Sequence, residues 1–133
     1  MPLKTRRTAL RTLAAASLLA LSAVGSPFAH ADGFPSKTIK FVVPFGPGSG
    51  TDTSARYFAK KLQDLTGQAV VVENKPGANG FMAVKQVLSA PADGYTVFIG
   101  SNSTLAVNAA LFKQLPYDPV ADFSPLTMMM RSP

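Results

Sequence analysis

The sequence predicts an α/β fold: a parallel sheet flanked by helices. Three observations carry this expectation. Short β-branched and aromatic runs alternate with stretches of helical periodicity, the pattern of parallel sheets with helices on their faces. The second run, Ala69-Val70-Val71-Val72-Glu73, is apolar at consecutive positions, as suits a strand covered on both sides. Each of three strand-like runs leads into a loop of small and polar residues that opens a helical segment.

Taken in order, Thr38 to Val43 reads as the first strand, and Pro44, which lacks an N–H, ends its pairing. After the loop Phe45 to Gly50, Thr51-Asp52 caps a helix. Its Ala55, Phe58, Ala59, Leu62 and Leu65 recur at three- and four-residue spacing and form one stripe. Gly67 is placed to close it in the left-handed conformation. The second strand, Ala69 to Glu73, leads through the loop Asn74 to Gly80 into a helix reaching about Ser89, with Phe81, Val84, Val87 and Leu88 turned inward. Pro91 and Asp93-Gly94 turn the chain. Tyr95 to Ile99 is the third strand, Gly100 to Thr104 the third loop, and Leu105 to Phe112 a short helix. Pro116 to Pro119 is an irregular connection, and Phe123 to Met130 an extended segment counted as a fourth strand.

Composition removes several function classes. The net charge of +6 is concentrated at the start, where Lys4, Arg6, Arg7 and Arg11 lie. The other nine basic residues are dispersed among seven acidic ones, so the folded part lacks the basic face of a nucleic-acid binder. There is no cysteine, hence no disulfide, thiolate metal site or lipid-attachment cysteine. The single histidine, His30, falls in the leader described next, which removes His-dependent nucleophilic catalysis and His metal ligation. No cofactor is expected.

Residues 1–31 have the three parts of a secretory signal: a basic start, an apolar run from Leu13 to Val24, and Ala29-His30-Ala31. The apolar run is shorter than the ~20 residues of a permanent spanning helix. The alternative, a buried N-terminal helix, does not account for the small residues of the A-x-A site. Arg6-Arg7 hints at a twin-arginine signal, but Ala9 stands where a large apolar residue is usual, so ordinary Sec export is preferred. The expected organisation is a signal peptide over 1–31 and a single domain over 32–133.

In an open parallel sheet the loops after the strands share one edge, and ligands bind there. All three loops here are rich in Gly, Ser, Asn and Thr. Glycine lets the backbone approach a ligand, and helix N-termini attract anions. The recurrence of the pattern at three successive strands points to an anion held by backbone and hydroxyl donors. A single such loop would read as an ordinary turn. A phosphate loop would need Lys after Gly50, where Thr51 stands. Gly46-Pro47-Gly48-Ser49-Gly50 spells G-x-G-x-G, short of the dinucleotide fingerprint. Glu73 lies about where a ribose-binding acid would, so a nucleotide-dependent α/β enzyme domain is the alternative reading; the export signal argues against it.

VPFGPGSGTDTSAR (Val43 to Arg56), VENKPGANG (Val72 to Gly80), ADGYTV (Ala92 to Val97) and LPYDPVADFSPLT (Leu115 to Thr127) occur in one order. On these stretches the chain resembles the Bug receptors, periplasmic solute-binding proteins of tripartite tricarboxylate transporters. The resemblance implies the N-terminal lobe of a type II periplasmic-binding fold. It implies a non-enzymatic, monomeric receptor that closes on a small carboxylate (a di- or tricarboxylate, an aromatic acid or an acidic amino acid) and delivers it to membrane transporter subunits. By the same resemblance, Gly48, Ser49, Thr51 and Asp52 of the first loop and Ala78, Asn79 and Gly80 of the second would hold the ligand, with Ser101 and Asn102 of the third. Asp52 would cap the helix or order the loop, or accept from a ligand amino group. Ser49 replaces the second glycine of the family's usual Pro-Gly-Gly. Such receptors are roughly three times as long as residues 32–133, spanning two domains of ordinary size. The chain is therefore expected to be a fragment or truncated product lacking the second lobe, with a non-functional remnant as a further alternative.

Export should remove the leader after Ala31. N-terminal sequencing of the protein from a periplasmic extract is expected to begin at Asp32, and an intact Met1 would refute cleavage.

Overall fold

The computed structural model describes residues 33–131. The signal-peptide expectation lies outside them. Three parallel strands, β1 (Ile39–Val43), β2 (Val70–Asn74) and β3 (Thr96–Phe98), form a sheet in the order β2-β1-β3. The helices α1 (Gly50–Thr66) and α2 (Phe81–Leu88) connect them, and a short α3 (Asn108–Leu111) follows a wide turn over Ser103–Val107. The parallel α/β class read from the alternation is therefore the observed one.

β1 is central because it is the most apolar strand. Phe41 pairs with Val72 on one side and Val97 on the other. The ladders run past the strand ends: Ile39 N–H donates to the Ala69 carbonyl at 2.9 Å, and Ile99 N–H to the Val42 carbonyl at 2.9 Å. Period-two alternation sends Ile39, Phe41 and Val43 to one face. There they are buried with Ala55 and Ala59 of α1 and with Ile99, and Phe58, Leu62, Val70 and Val72 pack around them. Val42, fully buried, points to the opposite face, where α2 lies across β1 and β3 with Ala83 and Val84 buried.

Several expectations are corrected. No strand forms over Phe123–Met130: the sheet of the described residues has three strands. Its Met129 instead packs on the core, while Leu126 and Met128 are exposed. Leu65 lies at the edge of the α1 stripe and is 84% exposed, while Thr66, on the line of Ala55, Ala59 and Leu62, is the half-buried residue of the last turn. Leu88, at the end of α2, is likewise exposed. β2 is not covered on both faces. It is an edge strand, Val71 is 46% exposed, and the same face carries Glu73, which accepts from Gln86 Nε2 at 2.7 Å and pairs with Lys40 at 3.3 Å. The cap of α1 is Ser49, whose Oγ accepts from Asp52 N–H at 3.2 Å. The helix thus starts one residue before the expected Thr51-Asp52 pair. Gly67 closes α1 as expected, at φ 72°.

At the opposite end of the sheet, the segment before β1 is tied to the Asp93–Tyr95 turn. Tyr95 OH accepts from Ser36 N–H at 2.8 Å, Lys37 pairs with Asp93 at 2.8 Å, and Phe34 packs on the Tyr95 ring at 4.9 Å.

Val43 sits at the centre of the sheet and is completely buried. Val43→Ala removes the equivalent of two methylene groups and leaves a cavity, so a loss of about 2 kcal/mol is expected in urea unfolding. A loss below about 0.5 kcal/mol, the scale of surface substitutions, would show that this position is not part of the core.

Candidate ligand site at the strand ends

The loops after β1, β2 and β3 lie at one edge of the sheet, as parallel topology requires. The first is fixed by Asp52. Its carboxylate is buried, 3% exposed, and its partners come from the loop before the helix, from the next turn of α1 and from the end of β2. Oδ2 accepts from Gly48 N–H at 2.8 Å and from Arg56 Nε at 3.1 Å. Oδ1 accepts from Asn74 Nδ2 at 2.9 Å and lies 3.0 Å from Arg56 Nη2. Asn74 closes the ring, taking a bond from Arg56 Nη2 at 3.0 Å on Oδ1 and giving one to the Phe45 carbonyl at 3.0 Å. The Arg56 guanidinium, then the Gly48 N–H and the Asn74 amide, lower the Asp52 pKa to about 2. Of the roles open to Asp52, the geometry shows loop ordering.

This arrangement leaves donors free at the start of α1. Asp52 N–H and Thr53 N–H are taken by Ser49, and Ser49 N–H by the Gly46 carbonyl. Among the described residues, Gly50 N–H and Thr51 N–H reach no acceptor. They project from the positive end of a 17-residue helix. Asp52 would repel an anion there, but Arg56 offsets its charge.

The second loop is strained. Gly77, Ala78, Asn79 and Gly80 all have positive φ, at 122°, 44°, 53° and 89°. Asn tolerates the left-handed region, whereas Ala pays roughly 1–2 kcal/mol for it. Such strain concentrates at ligand-contacting segments. Ala78 N–H and Asn79 N–H have no acceptor among the described residues. Gly80 is where the loops meet: a Cβ there would lie 2.6 Å from Thr104 Cγ2 and 3.3 Å from Pro44 Cβ.

The third loop is held from within. Ser101 N–H donates to Thr104 Oγ1 at 3.0 Å, and Thr104 Oγ1 returns a bond to the Ser101 carbonyl at 3.0 Å. Ser101 Oγ is buried without a partner, and Asn102 is exposed at the start of the wide turn. A cavity of about 300 Å3 opens between the three loops. Of the sequence-expected residues, Asn79 and Gly80 line it; Gly48, Ser49, Thr51, Asp52, Ala78, Ser101 and Asn102 do not. Ser103, Thr104 and Asn108 also line it and were missed. Their signal was the polar pair Thr104 and Asn108, four residues apart and so on one helical face. A larger depression of about 580 Å3 lies along the Phe112–Pro119 connection, and none of the three loops contributes to it.

A parallel sheet with free backbone donors along one edge is an architecture that binds small ligands at the strand ends. The sequence profile of the "Tripartite tricarboxylate transporter family receptor" matches residues 54–133, and the chain belongs to that family. It is 39% identical to protein BugT of Bordetella pertussis over 112 residues, covering 84% of this chain and 34% of BugT. Among solved structures, MatC of Rhodopseudomonas palustris with bound malate superposes with a TM-score of 0.66 at 40% identity, over 69% of this chain and 31% of MatC. Rpa4515 of R. palustris with adipate gives 0.62 at 38% identity, over 65% and 29% respectively. The fold is that of the N-terminal part of a type II periplasmic-binding protein. The chain spans about a third of the length of the curated relatives it matches.

Because the folded pKa of Asp52 is depressed to about 2, the stability linked to it is complete above its ordinary value near about 4 and is lost as pH falls through about 2. Asp52→Asn should lower the urea midpoint at neutral pH, and the gap from the parent chain should shrink between about pH 4 and 2. A gap independent of pH would show that the charge of Asp52 contributes nothing.

Proposed function

We propose that this chain supplies one wall of a periplasmic receptor that captures a small carboxylate for a tripartite tricarboxylate transporter. The observation that carries the reading is the set of free backbone donors at the sheet edge. Gly50 and Thr51 offer N–H groups at the start of α1, and Ala78 and Asn79 offer theirs in the strained second loop. Gly48 and Asp52 hold the first loop in place, Ser49 caps the helix, and Gly80 lets the loops approach. Ser101 and Asn102 complete the rim. Backbone donors at a helix N-terminus suit a carboxylate, and the guanidinium of Arg56 is already committed to Asp52 and Asn74. The carboxylates named with MatC and Rpa4515 agree with this ligand class. The reading includes export behind a cleaved leader, action as a monomer with membrane subunits, and no catalysis.

Titration of the 15N-labelled chain with malate tests it. Amide resonances of Gly50, Thr51, Ala78 and Asn79 should move selectively by about 10 mM, where a site worth about 4 kcal/mol is mostly filled. Unmoved loop amides with malate, or the same shifts with NAD instead, would overturn the reading.

A further inference from the structure

The cavity between the loops contains an acceptor that the fold leaves unused. Asn108, the first residue of α3, is 5% exposed and lines this cavity with Asn79, Gly80 and Thr104. Its amide orientation is dictated by its neighbours. Nδ2 donates to the Asn79 carbonyl at 2.9 Å and to Tyr117 OH at 3.3 Å. The Tyr117 hydroxyl proton is committed to the Thr104 carbonyl, so the phenol oxygen can only accept from Asn108. Both neighbours are acceptors, and a flipped amide would set oxygen against oxygen twice. Tyr117 is itself fixed, buried and packed edge-on against Phe81 and Phe123 at 5.9 Å and 6.2 Å.

Oδ1 is therefore turned away from both partners, and it accepts no hydrogen bond among the described residues. The oxygen is not sealed off, since Ser101 Oγ is the one fully buried side-chain polar atom without a partner among the described residues, and so it is open to a group entering the cavity. Ionised carboxylates carry no proton to donate, so this oxygen repels a ligand's carboxylate and attracts a donor. We propose that Asn108 Oδ1 reads a hydroxyl or amino group on the ligand, favouring hydroxy- and amino-dicarboxylates over unsubstituted ones. The proposal rests on the carboxylate reading above and adds a selectivity determinant to it. Backbone N–H groups hold the anionic end, and Asn108 examines the carbon skeleton beside it.

Malate and succinate differ by one hydroxyl and serve as the probes, titrated by amide shifts into the full chain and into Asn108→Ala. The parent chain should prefer malate by about five- to tenfold, the worth of one net hydrogen bond. Asn108→Ala should lose that preference, malate affinity falling about five- to tenfold more than succinate affinity. Equal binding of the two acids by the parent chain overturns the inference on its own, whether or not the variant folds. So does an equal loss of both acids in Asn108→Ala, which would make Asn108 a support for Asn79 only. In either case carboxylate binding stands. If neither acid moves the loop amides, the carboxylate reading fails and this inference fails with it.

Discussion

The buried carboxylate of Asp52 is the constraint on which the ligand-facing edge depends. It belongs to the first turn of α1, yet it binds Gly48 in the loop, Arg56 one turn along the helix and Asn74 at the end of β2. A buried ion is tolerated only when its partners satisfy every lone pair, and here four donor contacts do so. Strand end, loop and helix start are thereby locked together. Asn74 extends the lock to the Phe45 carbonyl, a loop group that would otherwise be left without a protein partner. Removing one member strands the others in a setting where unpaired polar groups are costly.

The rest of the edge follows from this lock. With loop one fixed, Pro44 presents a defined surface, and Gly80 packs between it and Thr104 with no room for a side chain. The second loop is pulled into left-handed backbone at Ala78 and Asn79, and Asn108 holds the Asn79 carbonyl from the far side. The third loop draws its rigidity from Thr104, Asn108 and Tyr117, behind which stand the rings of Phe81, Phe112 and Phe123. Two separate polar networks, one around Asp52 and one around Asn108, thus hold the loops of this edge.

Much of this fold was legible because its signals are local. The apolar periodicity of Ala55, Phe58, Ala59 and Leu62 marked α1, the runs at residues 38–43 and 69–73 marked strands to within a residue, and Gly67 marked a helix end. The errors occurred where tertiary context decides. Leu65 and Leu88 continue their stripes in sequence, but both lie in the last turns of their helices and are exposed beside half-buried Thr66 and Val87. Phe123–Met130 has strand-like composition and finds no strand to pair with among the described residues. At the candidate site, the loops could be located from their Gly and Asn content. Which residues line the cavity could not, because that depends on the approach of Gly80 to Thr104. Tyr117 read as part of an irregular connection, and only its burial reveals that it orients Asn108.

Backbone donors and side-chain acceptors divide the work of recognition in a definite way. An N–H group at a helix start reads a carboxylate by charge and geometry and is indifferent to what carries it. It is also insensitive to most substitutions, since every residue but proline supplies one. On the proposed reading, an edge built from Gly50, Thr51, Ala78 and Asn79 amides would hold many acids and choose poorly among them. Choice requires a group whose chemistry differs from theirs and whose orientation is fixed, because a freely turning amide would offer donor or acceptor as the ligand required. The paired acceptors Asn79 O and Tyr117 OH remove that freedom from Asn108. A site that must hydrogen-bond a ligand group rejects the analogue lacking it far more strongly than a merely apolar pocket does. On the proposed reading, selectivity in this lobe falls to Asn108, a cavity-lining side chain whose amide the fold has already turned.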